Sequence, residues 1–167
     1  MSSARLHIRK ADALDLPDLG RLSAELARLH LSFDADRFAV RELTEQVFTA
    51  FFSEQLGRPD AQVLVAEQDG AAVGYAFVRM EPASLEDLRG AGAWLHDLYV
   101  DPVARGKAIG RQLVQAAIDA ASGLGSDSLM LSVSPQNKPA QRLFEEMGLR
   151  ATMVEMRVDL KNKVGQC

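Results

Sequence analysis

Cysteine is all but absent from this 167-residue chain: Cys167, the last residue, is the single one. No disulfide can form within the chain, so packing must hold any core, and a lone thiol fits a reducing cytoplasm. Long apolar runs are missing as well. No stretch approaches the roughly 20 residues of a membrane span, and the first residues lack the apolar core of a signal peptide. Neither membrane association nor export is therefore expected. An excess of positive charge is missing too. Lys and Arg number 19 against 23 Asp and Glu, a net charge of −4, with a pI near 5.4. That balance argues against a nucleic-acid partner and leans toward a cationic substrate. His7 and His30 stand alone, with no Cys, His or carboxylate at metal-ligand spacing, so no metal is expected.

What is present reads as an ordinary globular protein, 47% hydrophobic and 25% charged, long enough for one domain over residues 1–167 and too short for two. Leu6 to Arg9 alternates as a strand. Asp12 and Asp15 are helix caps ahead of Pro17, and Leu19, Leu22, Leu26 and Leu29 trace a helix to about His30. A loop at 31–36 precedes a second helix expected from Phe38 to Leu56, with Leu43, Val47, Ala50 and Phe51 buried. Val63–Glu67 and Ala72–Met80 read as strands joined by an Asp69-Gly70 hairpin turn. After a loop at 82–92 come a strand from Trp94, a helix ending near Gly123, and a short strand over Ser128–Val133. A helix capped by Asn137 follows. The tail then alternates Val154, Met156, Val158 and Leu160 with Glu155, Arg157 and Asp159, the pattern of a last strand.

The order is β-α-α-β-β-β-α-β-α-β, an α+β class with a central mixed, mostly antiparallel sheet flanked by helices. Its centre is Trp94 to Ala117. There, Trp94-Leu95-His96-Asp97-Leu98-Tyr99-Val100 ends at Asp101-Pro102. Arg105-Gly106-Lys107-Ala108-Ile109-Gly110 then leads into a helical period at Ile109, Leu113 and Ala117. A strand, a small-residue turn and a helix N-terminus make a natural anion cradle, because the first-turn N–H groups are free and the dipole is positive there. The spacing is neither that of a P-loop nor Gly-x-Gly-x-x-Gly.

The turn resembles the Arg/Gln-x-x-Gly-x-Gly/Ala signature of the GCN5-related N-acetyltransferases, preceded by a strand ending Leu-x-Val. Asn137-x-x-Ala140-x-x-x-Phe144-x-x-x-Gly148-Leu149 is similar to a second block of that family. Two departures stand out. Ala108 replaces a glycine, where a positive φ would be strained. Phe144 replaces a tyrosine that serves as general acid in many members, and it has no proton to give.

The resemblance implies a GNAT-like fold and acetyl-CoA as co-substrate. The diphosphate would rest on the backbone of Arg105, Gly106, Lys107, Ala108, Ile109, Gly110 and Arg111. The pantetheine arm would pair along Leu98, Tyr99 and Val100, with Asn137 and Phe144 beside it. His96 stands where amine-acetylating members place Glu or His, which makes it the candidate base, with Asp97 second. In a regular strand the two point to opposite faces, although the bulge implied by the family would change that. Phe33, Asp34, Asp36, Glu86, Asp87 and Trp94 are substrate candidates by position. Carboxylates there would suit a polyamine, a lysine-like amino acid or a protein amine, and the Leu-His-Asp-Leu-Tyr-Val run is similar to that of the polyamine and thialysine branch. The expected reaction is direct attack of a neutral amine on the thioester in a ternary complex, in a cytoplasmic protein that the family resemblance makes a homodimer. A non-catalytic acyl-CoA-binding or sensor module is the rival reading, favoured by Phe144 and Ala108.

Overall fold

Asp69 and Gly70 turn the chain with φ of 53° and 81°, the positive values that a two-residue hairpin demands. In this computed structural model, which describes residues 6–39, 42–106 and 108–160, that turn joins β2 (Ala61–Gln68) to β3 (Ala71–Glu81). β1 (Leu6–Lys10) lies outside β2, and β4 (Gly92–Val100) lies on the far side of β3, all antiparallel. β5 (Leu129–Met130) pairs parallel to β4, completing a five-stranded sheet in sequence order.

Side-chain alternation gives the sheet two apolar faces. On one, Val63, Val65, Tyr75, Phe77 and Tyr99 meet Leu19, Leu22 and Leu26 of α1 (Leu16–Phe33) and Phe52 of α2 (Glu45–Gln55). On the other, Leu64, Ala76, Val78 and Leu95 meet Ile109, Leu113, Val114 and Ala117 of α3 (Ile109–Gly123) and Phe144 of α4 (Lys138–Glu146). Each large side chain fully removed from water here contributes about 1.5–3 kcal/mol. The two early helices cross closely at Gly20, where a Cβ would sit 2.3 Å from Thr49 Oγ1. That contact seats α2 over Tyr75 and Phe77.

Five local expectations change. α1 runs on to Phe33, closed by the Asp34 N–H bonding the His30 carbonyl. The second helix begins only at Glu45, capped by the Thr44 hydroxyl, while Phe38 sits in a turn. Its buried face is also rotated. Phe52 is fully buried, packing edge-on against Tyr75 and Phe77, whereas Val47 and Ala50 are exposed and Phe51 stands at the rim. The largest ring sets the phase of a short helix. The strand over 128–133 shrinks to Leu129–Met130, because β4 pairs with it only at Ala93 and Trp94. Residues 151–159 form no strand at all. Their alternation is strand-like, but no strand among the described residues offers them a ladder partner, and a strand without one does not persist.

Candidate active site

β4 carries a bulge at His96. Asp97 pairs with Phe77 and Leu95 with Val78, so His96 is the extra residue between them. A regular strand would send His96 and Asp97 to opposite faces; the bulge turns both toward the α1–α2 side. The His96 ring stacks on Phe77 at 5.3 Å between centroids and lies 6.4 Å from Trp94. His96 Nε2 lies 2.7 Å from Glu81 Oε1, which Arg79 Nη2 also reaches at 2.7 Å. Burial works against ionisation of Glu81, but the hydrogen bonds from Arg79 and His96 outweigh it and hold the carboxyl below its ordinary range. An ionised Glu81 only accepts, so Nε2 of His96 carries a proton, and in the neutral ring the lone pair falls on Nδ1.

Asp97 is turned inward. Its Oδ2 accepts a hydrogen bond from the Tyr75 hydroxyl at 3.1 Å, and Tyr75 accepts one from Ser23 at 2.9 Å. Burial pushes the Asp97 carboxyl above its usual range, offset only in part by Tyr75, His96 and His30. Burial, with the charge of Asp97, keeps the Tyr75 phenol well above its ordinary value, so it remains a donor. His96 and Asp97 open on a cleft of about 300 Å³ whose remaining walls are Phe48, Phe51, Phe77 and Arg79. None of Phe33, Asp34, Asp36, Glu86, Asp87 or Trp94 lines it. Phe33 ends α1, Asp34 accepts from the Asp36 and Arg37 N–H groups in an exposed turn, and Glu86 and Asp87 flank Ser84 at the tip of the β3–β4 loop. Trp94 lies farther along β4 under the Arg89 guanidinium. The signals for the cleft were Phe48 and Phe51 in one helix and the Arg79, Glu81 pair on one strand face, residues whose meeting only the fold reveals.

The other edge of β4 is open. After Trp94 the strand has no partner on the β5 side among the described residues. The Asp101 N–H bonds the Val73 carbonyl next to the Gly74–Val100 pair. In an antiparallel ladder this makes Val100, and by alternation Leu98, point their own N–H and C=O away from β3. Both therefore face the gap, while the Tyr99 side chain is buried on the opposite side and its hydroxyl donates to Glu25. Arg105 Nε donates to the Val100 carbonyl at 3.1 Å, with the guanidinium 5.8 Å above the Tyr99 ring.

Beyond this edge the chain enters α3 through Gly106 and Ala108, at φ of 85° and 57°. Ala108 thus takes the left-handed conformation in which a methyl group is strained, at a cost of about 1–2 kcal/mol. No side chain caps α3, so the N–H groups of Ile109, Gly110 and Arg111 point outward at the positive end of the helix dipole. Arg111 itself reaches over to Glu146 and Met147, leaving its backbone to the cradle. Lys107 lies outside the described residues. Asn137 caps α4 by accepting from the Ala140 N–H at 3.3 Å. Phe144 is buried in the α3-side core.

An extended edge beside an uncapped helix start is a place for a thioester arm and its diphosphate. A sequence model of the acetyltransferase (GNAT) family matches residues 26–149. The chain belongs to that family. It is an acetyl-CoA-dependent N-acetyltransferase. An uncharacterized N-acetyltransferase of Archaeoglobus fulgidus is 29% identical over 87% of this chain and 93% of its own length. The L-methionine sulfoximine/L-methionine sulfone acetyltransferase of Salmonella typhimurium is 32% identical over 64% of this chain and 58% of its own length. The aminoglycoside N-acetyltransferase AAC(6′)-Iy, solved in complex with CoA, superposes with a TM-score of 0.77 at 18% identity, over 94% of this chain and 95% of that one. The acetyltransferase sheet is the mixed, mostly antiparallel one expected. No helix among the described residues is long and apolar enough to cross a membrane, and no cluster among them could hold a metal ion.

Proposed function

We propose that this acetyltransferase moves an acetyl group to the primary amine of an amino-acid-like acceptor seated in the Phe48–Phe51–Phe77 cleft, by direct attack in a ternary complex. The observation that carries the proposal is the bulge at His96, which brings a candidate base and a half-buried carboxyl to one cleft beside the β4 edge. The pantetheine arm adds to that edge as a strand along Leu98 and Val100. It takes over the Val100 carbonyl and releases Arg105 toward the diphosphate on the Ile109–Arg111 amides. Asn137 has its NH₂ group to offer the arm.

In the reaction, the acceptor ammonium must lose a proton before it can attack. His96 Nδ1 takes it, directly or through one water, with Nε2–H held by Glu81. The amine nitrogen then bonds the thioester carbonyl carbon, and a β4 backbone N–H facing the gap stabilises the developing oxyanion. The carbon–sulfur bond breaks to release a thiolate, a leaving group with a pKa near 8.5 that departs without an acid, and the second proton on the attacking nitrogen is lost to water and from there to the thiolate, leaving a neutral amide and CoA thiol. Phe144 is then no obstacle to turnover, and the positioning of two bound reactants supplies much of the rate.

Of the acceptor classes the sequence suggests, a polyamine, a lysine-like amino acid or a protein amine, the cleft favours the amino acid. Its walls are three phenylalanine rings, and Arg79, bound to Glu81 through Nε and Nη2, has Nη1 left for a carboxylate. The relative that acts on methionine derivatives is consistent with this chemistry. A thiol-release assay with acetyl-CoA across a panel of amines tests it. Release that depends on the acceptor and is faster with free amino acids, lysine and apolar ones among them, than with spermidine is expected, with intersecting initial-velocity lines. Preference for polyamines, or release indifferent to any amine, overturns the assignment.

A further inference from the structure

Between β4 and α3 the chain must leave the sheet, and Asp101 is its pivot. The Asp101 N–H bonds the Val73 carbonyl at 2.8 Å, its carbonyl accepts from the Ala104 N–H at 2.9 Å, and its Oδ1 caps the Val103 N–H at 3.1 Å. These bonds fix the single 3₁₀ turn, Pro102–Ala104, that delivers Arg105 to the β4 edge. One carboxylate oxygen of Asp101 is left, and Arg21 of α1 takes it: Nη1 donates to Oδ2 at 3.3 Å. The second Nη1 hydrogen goes to Glu25 at 3.4 Å, and Nη2 donates to Asp18 and to the Ala72 carbonyl, each at 3.3 Å. Glu25 in turn accepts from the Tyr99 hydroxyl at 3.1 Å, and the Tyr99 ring lies under the Arg105 guanidinium. Three carboxylates thus converge on one cation that is 34% exposed, and each of its four Nη hydrogens has its own acceptor. Leu19, Leu22 and Leu26 already seat α1 on the sheet. Arg21 adds a link from that helix to the strand end and the turn beyond it.

We propose that Arg21 is a positioning residue for cofactor binding. Acting through Asp101 and Glu25, it holds the Pro102–Ala104 turn and Tyr99 so that Arg105 and the Ile109–Arg111 amides face the β4 edge. This role rests on the placement of the diphosphate proposed for the reaction. Without the cation, Asp18, Glu25 and Asp101 face one another uncompensated, and like charges so close repel. Asp101 sits at the start of a turn whose Pro102 and Val103 are exposed, so the turn yields and the cradle tilts with it. An ammonium offers three donors from a single point and cannot serve four acceptors in a plane, so lysine replaces only part of the role.

Isothermal titration with CoA, well below the Tm of each folded variant, tests this. Arg21→Gln should raise Kd for CoA about 3–10-fold; an arginine that served stability alone would lower Tm and leave Kd in place. Arg21→Lys should show a smaller rise. Adding Asp101→Asn to Arg21→Gln should recover part of the affinity, because asparagine keeps the cap acceptor and removes the orphaned charge. A crystal structure of the unaltered protein with CoA shows separately where the diphosphate lies. With the diphosphate on the Ile109–Arg111 amides, a Kd unmoved by Arg21→Gln, or a rise that neither Arg21→Lys nor the added Asp101→Asn relieves, overturns the role of Arg21 and leaves the cofactor site standing. A diphosphate bound elsewhere overturns both.

Discussion

The Tyr75 hydroxyl donates to Asp97 Oδ2 across 3.1 Å, and this bond exists because the β4 bulge turns Asp97 inward, beside His96. Tyr75 belongs to the strand facing β4 and Ser23 to α1, so three elements converge on one carboxyl. The arrangement leaves Asp97 partly desolvated, facing the cleft proposed for the acceptor.

Asp97 therefore weakens the fold once ionised. Its folded pKa lies above the unfolded value of about 3.9, because burial disfavours the charge. Its stabilising contribution is full below the unfolded value and is lost as pH rises from there through the folded one. Asp97→Asn keeps an acceptor for Tyr75 and removes the charge. It should raise Tm at pH 7 and leave Tm nearly unchanged at pH 3. A Tm lowered equally at both pH values would contradict this.

His96→Ala removes the proposed base. At pH 7 kcat should fall by about 10²-fold or more, and the deficit should shrink as pH rises toward the acceptor amine's own pKa. A pH–rate profile of unchanged shape would take His96 out of the mechanism.

Glu81→Gln tests the partner of that base. The depressed pKa of Glu81 stabilises the fold above the unfolded carboxylate value and is lost as pH falls through the folded one. The variant should cost about 1 kcal/mol at pH 7, and the difference should close near pH 3 in thermal melts. The kcat should also fall, with KM for acetyl-CoA unchanged.

Ala108→Gly relieves a left-handed alanine. Relief of about 1–2 kcal/mol exceeds the entropic cost of glycine, about 0.5–1 kcal/mol, so denaturant melts should show a net gain of roughly 0.5–1 kcal/mol. Loss of stability would mean the methyl group packs favourably.

The parts legible in the sequence are those whose cause is local. Asp69-Gly70 marks its own turn, Asn137 its own cap, and residues 98–111 carry strand end, turn and helix start in one run. The acceptor cleft was not legible, because Phe48, Phe77, Arg79 and His96 come from three elements and meet only through tertiary packing. The phase of α2 was misread for a related reason: Tyr75 and Phe77 draw Phe52 inward, overriding the helix's own apolar pattern. Asp34, Asp36, Glu86 and Asp87 read as substrate groups because loops near a strand end are plausible walls; all four lie exposed in turns, where Asp34 accepts from the Arg37 N–H and Asp87 from the Ser84 hydroxyl. The tail's alternation is plain in the sequence, but a strand forms only against a ladder partner, and none stands beside residues 151–159 among the described residues.

The central claim is spatial: backbone amides at the start of α3 hold a diphosphate while the open edge of β4 receives the thioester arm. A crystal structure with CoA bound tests it most directly. Diphosphate oxygens should lie within hydrogen-bond distance of the Ile109–Arg111 N–H groups, with the pantetheine paired to Leu98 and Val100 and Arg105 withdrawn from the Val100 carbonyl. A structure in which CoA binds elsewhere, with Arg105 still on Val100 and that edge closed by side chains, would contradict the account.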